Sequence, residues 1–472
     1  MFKRLLPILF LTSSLFAQDA TQPPGVAGTN ILYVSPLGKD SNAERGKIHR
    51  AWFSISNAVA AATNGETVMI MPGVYTNDNK RRFRASGASG TWINIWAKTN
   101  FNLIGVGNPT IYDAYYTNTC VSVSRSSGVT IKGIRFQGIN SNFNHSIDYP
   151  IHGALEYGTA TEYLTVEECQ FLDGQNFAVL DSSDVPSTNG IVVRNNYFRN
   201  YGNISSQIGW DGGAFAGVGI FENNITDGCS RSCEFWAMPF GGNSGAGTTM
   251  CVARNNTIWN CMYQGICDGS SRTVRSVLVS GNFIHQDASF LRGGPGTPLA
   301  GSPSSSLINF GLMTNVVIVN NYLVGATNIG ILVYSATNAT ISGNTITIDR
   351  GRGPITGISI TTTKNAMITG NHGIGIRSGL IDVVNSTDFY IFNNTSTLHP
   401  ASGRLLSLSL LTNSVIAMNS AQGDSGSYII WGLGVSSGVK VGRNYSFGPT
   451  TRYYDNGTPA NTNFTFEANE AP

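Results

Sequence analysis

Val317-Ile-Val-Asn-Asn-Tyr-Leu-Val324 and, 23 residues further on, Thr340-Ile-Ser-Gly-Asn-Thr-Ile-Thr347 are two copies of one short pattern. An apolar residue and a variable one precede Asn or Gly; then come Asn, a variable residue and a second apolar one. The pattern returns as VRNNYF, ARNNTI, VSGNFI and IFNNTS. Aligned on the second Asn, the anchors are Asn196, Asn224, Asn256, Asn282, Asn321, Asn344, Asn371, Asn394, Asn419 and Asn444, and two earlier copies carry Ile134 and Cys169 there. Spacings between anchors run from 23 to 39 residues, so the minimum is the bare repeat and the excess is loop. Such a period marks a solenoid, whose unit is too small to bury its apolar face alone and must stack on its neighbours.

Two columns carry the core. Three residues before the anchor stand Ile131, Val166, Val193, Phe221, Ala253, Val279, Ile318, Ile341, Ile368, Ile391, Ile416 and Val441, all apolar. Two residues after it stand Phe136, Phe171, Phe198, Thr226, Ile258, Ile284, Leu323 and Ile346, then a weaker set. The residue before the anchor is mostly Asn or Gly, the types that accept positive φ at a sharp corner. Stacked about 4.8 Å apart, each strand pairs with its copies above and below, and the Asn side chains can bond along the stack. The expected fold is all-β: a right-handed parallel β-helix of about 12 or more rungs over residues 29–447, with a short N-terminal capping helix within Trp52–Thr63 and a C-terminal cap or tail over 448–472. Two before the anchor, Lys132, Glu167, Arg194, Glu222 and Arg254 alternate in sign, which predicts a solvent-facing ion-pair ladder.

Composition agrees. The 472 residues include 55 Gly, only 12% are charged, and the net charge is +2, so there is no basic stripe for nucleic acid. Residues 1–17, with Lys3, Arg4 and an apolar run from Leu5 to Phe16, read as a secretory signal, followed by a linker over 18–28. No segment is long and apolar enough for a membrane span. The expected location is therefore extracellular, at the cell surface or periplasmic. The seven cysteines show no zinc spacing. Cys229 and Cys261 each follow their anchor by five residues, so they should stack in adjacent rungs, as a disulfide or as two buried thiols.

Tyr33-Val-Ser-Pro-Leu-Gly-Lys-Asp-Ser-Asn42, Asn57-Ala-Val-Ala-Ala-Ala and Asn64-Gly-Glu-Thr-Val-Met-Ile-Met-Pro-Gly-Val-Tyr75 resemble the opening module of secreted pectate-lyase-like β-helix proteins. The later repeats resemble their parallel β-helix repeats. The resemblance implies the fold over nearly the whole mature chain. For function it implies a range: polysaccharide lyases, glycoside hydrolases, uronan epimerases, phage tail spikes and adhesins. Fold does not select among these, so the site must.

Carboxylates and aromatics gather before the repeats of the middle rungs, in Phe177-Ala-Val-Leu-Asp181, Ile208-Gly-Trp-Asp211, Cys233-Glu-Phe-Trp236 and Gly265-Ile-Cys-Asp268. This is the composition of a sugar-binding groove. For hydrolysis, Asp211, Glu234 and Asp268 are the acid–base candidates, with Trp210, Trp236, Tyr263 and Arg292 holding substrate. Neither the Asp-Asp pair nor the Gly-His-Gly of polygalacturonase-like hydrolases is present, and Gly370-Asn-His-Gly373 falls in a corner. For elimination, a base would come from Arg272, Arg275 or His285. Ca²⁺ would need oxygens such as those of Asp181, Asp184 and Asp211. His145 and His152 read as loop residues, since the Asp-Pro-His element of the epimerases is not reproduced. The expected function is cleavage of an extracellular, anionic polysaccharide; the alternative is a non-catalytic glycan-binding, adhesive or tail-spike-like β-helix.

Overall fold

The structure, a computed structural model, describes residues 30–76, 91–112, 119–138, 154–158, 160–174, 177–181, 190–201, 213–229, 231–235, 250–261, 264–268, 275–286, 306–325, 329–347, 356–398, 403–423, 428–433, 436–447, 452–456 and 464–466. It is a right-handed parallel β-helix. Each typical rung has three short strands, such as Phe177–Asp181, Val192–Arg194 and Tyr197–Arg199. The first and second strands build a 29-stranded parallel sheet and the third strands a 14-stranded one.

The pairings reproduce the repeat. Ile131 pairs with Val166, Val166 with Val193, Val193 with Phe221, and so on to Val441. All of this column is buried. It extends upstream through Leu103, Val68 and Leu32, rungs that lack the anchoring Asn. The third-strand column stacks Phe136, Phe171 and Phe198 face to face, with centroids 4.9 Å apart.

Positive φ occurs in every rung at the residue before the anchor, from Gly133 at 67° to Arg443 at 50°. This left-handed corner aims the next residue inward. From Asn196 to Asn444, each anchor's Oδ1 accepts from the backbone N–H of the anchor one rung earlier, at 2.9 Å between Asn196 and Asn224. Each Nδ2 donates to a carbonyl of the neighbouring strand. The ladder thus satisfies both the turn's backbone and its own amides in a dry interior.

The predicted surface ladder also forms. Lys132 Nζ lies 3.1 Å from Glu167, Arg194 2.7 Å from Glu167, and Arg254 2.6 Å from Glu222. The N-terminal helix spans Ile55–Ala61, with the Ser54 hydroxyl accepting from Asn57 N–H, and its Ile55, Ala58 and Val59 join the core at the open end of the stack. At the other end, Arg452–Asn456 and Phe464–Phe466 pair with Tyr428–Leu433 and Val439–Gly442. The stack therefore continues past residue 447. The proposed signal and linker lie outside the described residues. No helix among those described is long and apolar enough to cross a membrane.

Candidate functional site on the outer face of the long sheet

A bend in the first strands of the middle rungs makes the site. In Arg231–Phe235, Ser232 and Cys233 both turn into the core, where the Ser232 hydroxyl meets Thr226 Oγ1 at 2.7 Å. Two successive inward residues place Arg231 and Glu234, three apart, on the same outer face, whereas an ideal strand would oppose them. They form a salt bridge of 2.7 Å, with side-chain exposures of 17% and 6%.

Neighbouring rungs extend this face. Arg231 pairs with Gln264 and Glu234 with Cys267; Cys267 in turn pairs with Asn309. Gln264, Cys267 and Ser306 are buried. Ser306 Oγ and Asn309 Oδ1 are buried and have no hydrogen-bond partner among the described residues. An unpaired buried polar atom costs about 1–3 kcal/mol and is uncommon in a native structure.

Asp268 closes Gln264–Asp268, one residue beyond the position opposite Glu234. Its Oδ2 accepts from Gly311 N–H at 2.8 Å. The Tyr334 ring lies across Gly311, where a Cβ would sit 2.0 Å from Tyr334 Cζ. Burial pushes the Asp268 carboxyl up to about 7; the Gly311 N–H draws it back, Glu234 adds to the rise and Arg231 opposes it. Burial also raises Tyr334, with a contribution from Asp268. Two carboxyl groups in different environments therefore lie on adjacent rungs: Glu234 on the outer face, paired with a cation, and Asp268 at a strand end in register with Phe235, able to hold a proton near neutrality.

Of the candidates from sequence, the structure brings together Glu234 and Asp268. Asp211, Trp210, Trp236, Tyr263, Arg272, Arg292 and Asp184 lie outside the described residues, as do His145 and His152. The residue in register with Asp268 on the preceding rung is Phe235. Asp181 ends its strand opposite Tyr157. His285 sits on the other sheet against Trp259, with ring centroids 5.1 Å apart, so it is separated from the carboxylates. Arg275 is exposed just before Ser276–Ser280. His372, in the corner segment, bonds Thr395 through Nδ1 at 2.7 Å. Cys229 and Cys261 are buried free thiols, the second of the two arrangements expected of them, and burial pushes both up to about 12. Among the described residues, no group of three or more His, Cys, Asp or Glu is arranged to hold a metal.

Sequence reasoning missed Arg231, Gln264, Ser306 and Asn309. None recurs at a fixed offset, and the bend that joins Arg231 to Glu234 leaves no mark in a period of two.

No protein-family model matches the chain, and no curated protein matches it. Solved structures do. The A-module of mannuronan C-5 epimerase AlgE6 from Azotobacter vinelandii is 13% identical, covers 89% of this chain and 94% of its own, and has a TM-score of 0.36. Pectate lyase Pel9A is 14% identical over 72% of this chain and 78% of its own, with a TM-score of 0.38. PfbA, a surface adhesin of Streptococcus pneumoniae, is 14% identical over 87% of this chain and 84% of its own, with a TM-score of 0.35. At such identities the likeness is one of fold.

Proposed function

We propose that the protein is a secreted carbohydrate-active enzyme that hydrolyses an anionic polysaccharide on the outer face of its long sheet. The observation that carries this reading is that Asp268, shifted up to about 7 and felt electrostatically by Glu234, lies one rung from that salt-bridged carboxylate and one position beyond the residue opposite it. Strand geometry separates their backbones by about 6 Å. From such positions, carboxyl groups can reach the separations of about 5–10 Å used in glycoside hydrolysis.

Asp268 is the acid. Its proton passes to the glycosidic oxygen as the bond from that oxygen to the anomeric carbon breaks. Glu234 accepts a proton from water as the water oxygen bonds to the anomeric carbon, or attacks that carbon itself if the course is retaining. Arg231 orients Glu234. Ser306 and Asn309 offer unpaired polar atoms to sugar hydroxyls.

Elimination is the second reading, supported by the partly buried Arg231 guanidinium, a cation placed to stabilise the anion formed beside a uronate carboxylate. Mass spectrometry after incubation with uronate-containing and sulfated polysaccharides, with and without Ca²⁺, decides. Hydrolytic masses, lost in Asp268→Asn, support the proposal. Products one water lighter support elimination. No products from any substrate would sink both and favour glycan binding or adhesion.

A further inference from the structure

A second cluster occupies the same face several rungs toward the C-terminus. The three-residue bend recurs in Arg404–Thr412 and Tyr428–Leu433, so Arg404 shares a face with Ser407, and Tyr428 with Trp431. The Arg404 guanidinium lies 3.9 Å over the Trp431 ring. Tyr428 meets that ring edge-on, with centroids 4.7 Å apart at 88°. Trp431 Nε1 is buried and has no hydrogen-bond partner among the described residues. One rung earlier, Asp382 pairs with Ser407, which accompanies the Arg404 charge.

Core packing does not account for these residues. The inward neighbours on the same strands, Leu405, Leu406, Ile429 and Ile430, already fill the interior. What remains outside is an arginine fork held flat by an aromatic ring, an indole N–H without an acceptor, and a carboxyl–hydroxyl pair. A planar guanidinium matches carboxylate or sulfate oxygens, and the indole N–H adds one donor to an oxyanion or hydroxyl.

We propose that Arg404, Trp431 and Asp382 form a distal subsite for a carboxylate- or sulfate-bearing sugar unit of the same polysaccharide chain that reaches Glu234 and Asp268. The proposal rests on the reading of that first site as carbohydrate-binding. In the outer column, Cys267 is followed by Asn309, Leu332, Ser359, Asp382 and Ser407, one per rung. The two sites are therefore about 24 Å apart along the axis. A chain lying along the stack would cross Leu332 and Ser359 between them, and the distal contact would strengthen binding only of chains long enough to touch both.

Affinity electrophoresis in native gels containing polygalacturonate, alginate or neutral dextran tests this. The wild-type protein is expected to be retarded by at least one of the two anionic polymers and not by dextran. Arg404→Gln and Trp431→Phe should each weaken that retardation about tenfold or more, while Lys132→Ala, on the surface ladder, leaves it unchanged. Thermal melts establish that each variant is folded, and Arg404→Lys, which keeps the charge but loses the fork, should fall between. Equal retardation of Arg404→Gln and wild type overturns the proposal. So does a wild-type protein retarded by neither anionic polymer, or one retarded by dextran as strongly. Failure of the first site is separate: it appears as no cleavage products, whereas failure of the distal subsite leaves products whose yield from long chains is insensitive to Arg404→Gln.

Discussion

The asparagine corner and the outer face of the first strands both hold polar groups away from water, and they treat them oppositely. At the corner one residue type repeats from Asn196 to Asn444, and its amides bond in a closed chain. On the outer face the residue changes at each rung, from Glu234 to Cys267 to Asn309, and buried atoms such as Ser306 Oγ are left without partners. A polar network that serves stability closes on itself, since each open end costs free energy. One left open is better explained by a ligand that closes it.

The largest effect expected from this difference is on catalysis. Asp268→Asn and Glu234→Gln should each lower turnover per folded molecule by about 10²–10⁴-fold, the range for general acid–base groups. Reducing-end assays on the responsive polysaccharide check it. Unchanged turnover in both variants would make the outer face a binding surface and nothing more.

Next in size is the ladder. Asn321 donates to Val279 O at 3.1 Å and Asn344 Oδ1 at 2.9 Å, and accepts from Asn282 N–H at 3.0 Å. Asn321→Ala would strand several of these groups, at a cost of about 2–4 kcal/mol. Urea unfolding should register that loss, while turnover per folded molecule stays unchanged. Ser306→Ala should do the reverse, because the hydroxyl has no partner to lose: stability within about 1 kcal/mol or slightly higher, and weaker substrate binding. If Ser306→Ala destabilises as much as Asn321→Ala, the contrast between the two regions is false.

The two regions also differ in how far they could be read from sequence. The corner is legible because stacking forces the same residue to the same offset: a left-handed residue, then an inward Asn, with Val193 or Ile318 three positions before. Loop length cannot blur this, since the offset lies within one short segment. Upstream, Leu32, Val68 and Leu103 belong to the same column but lack the Asn, so the repeat did not reveal them. The outer face depends on pairing across long connections of unequal length. Glu234 and Asp268 were visible as carboxylates in unusual company. Their register was not: the connections from anchor to first strand differ in length, and the residue in register with Asp268 is Phe235 rather than Glu234. Arg231 was invisible because a bend, not a period, brings it to Glu234.

Proton linkage gives a smaller effect. Asp268 is raised by burial to about 7 from an ordinary carboxyl value of 3.8. Between those values the folded state holds a proton that the unfolded state has released, so this group's contribution to stability declines as pH rises from about 4 to 7. Asp268→Asn should remove that decline: its melting temperature relative to wild type rises with pH across the window and levels off above it. A difference independent of pH would mean that Asp268 is ionised throughout. The same proton sets activity, which should fall above about pH 7 as the acid is lost.

The smallest effect separates two kinds of ion pair. Lys132 is 35% exposed on the surface ladder, whereas its partner Glu167, like Arg231 and Glu234, is largely enclosed. Partial burial would raise Glu167, but its bonds to Lys132 and Arg194 more than offset this and leave it lowered. A lowered carboxyl contributes stability above its unfolded value and loses it as pH falls through its folded one. Lys132→Ala should therefore cost at most about 1 kcal/mol at neutral pH, less in high salt, and almost nothing in acid. Arg231→Ala should cost more and respond little to salt, because it leaves the enclosed carboxylate of Glu234 without its countercharge. Denaturant titrations of both variants at low and high salt distinguish the cases. Equal salt sensitivity would mean that water reaches Arg231 as freely as it reaches Lys132, and the outer face would then lack the enclosed setting that the proposed acid–base pair requires.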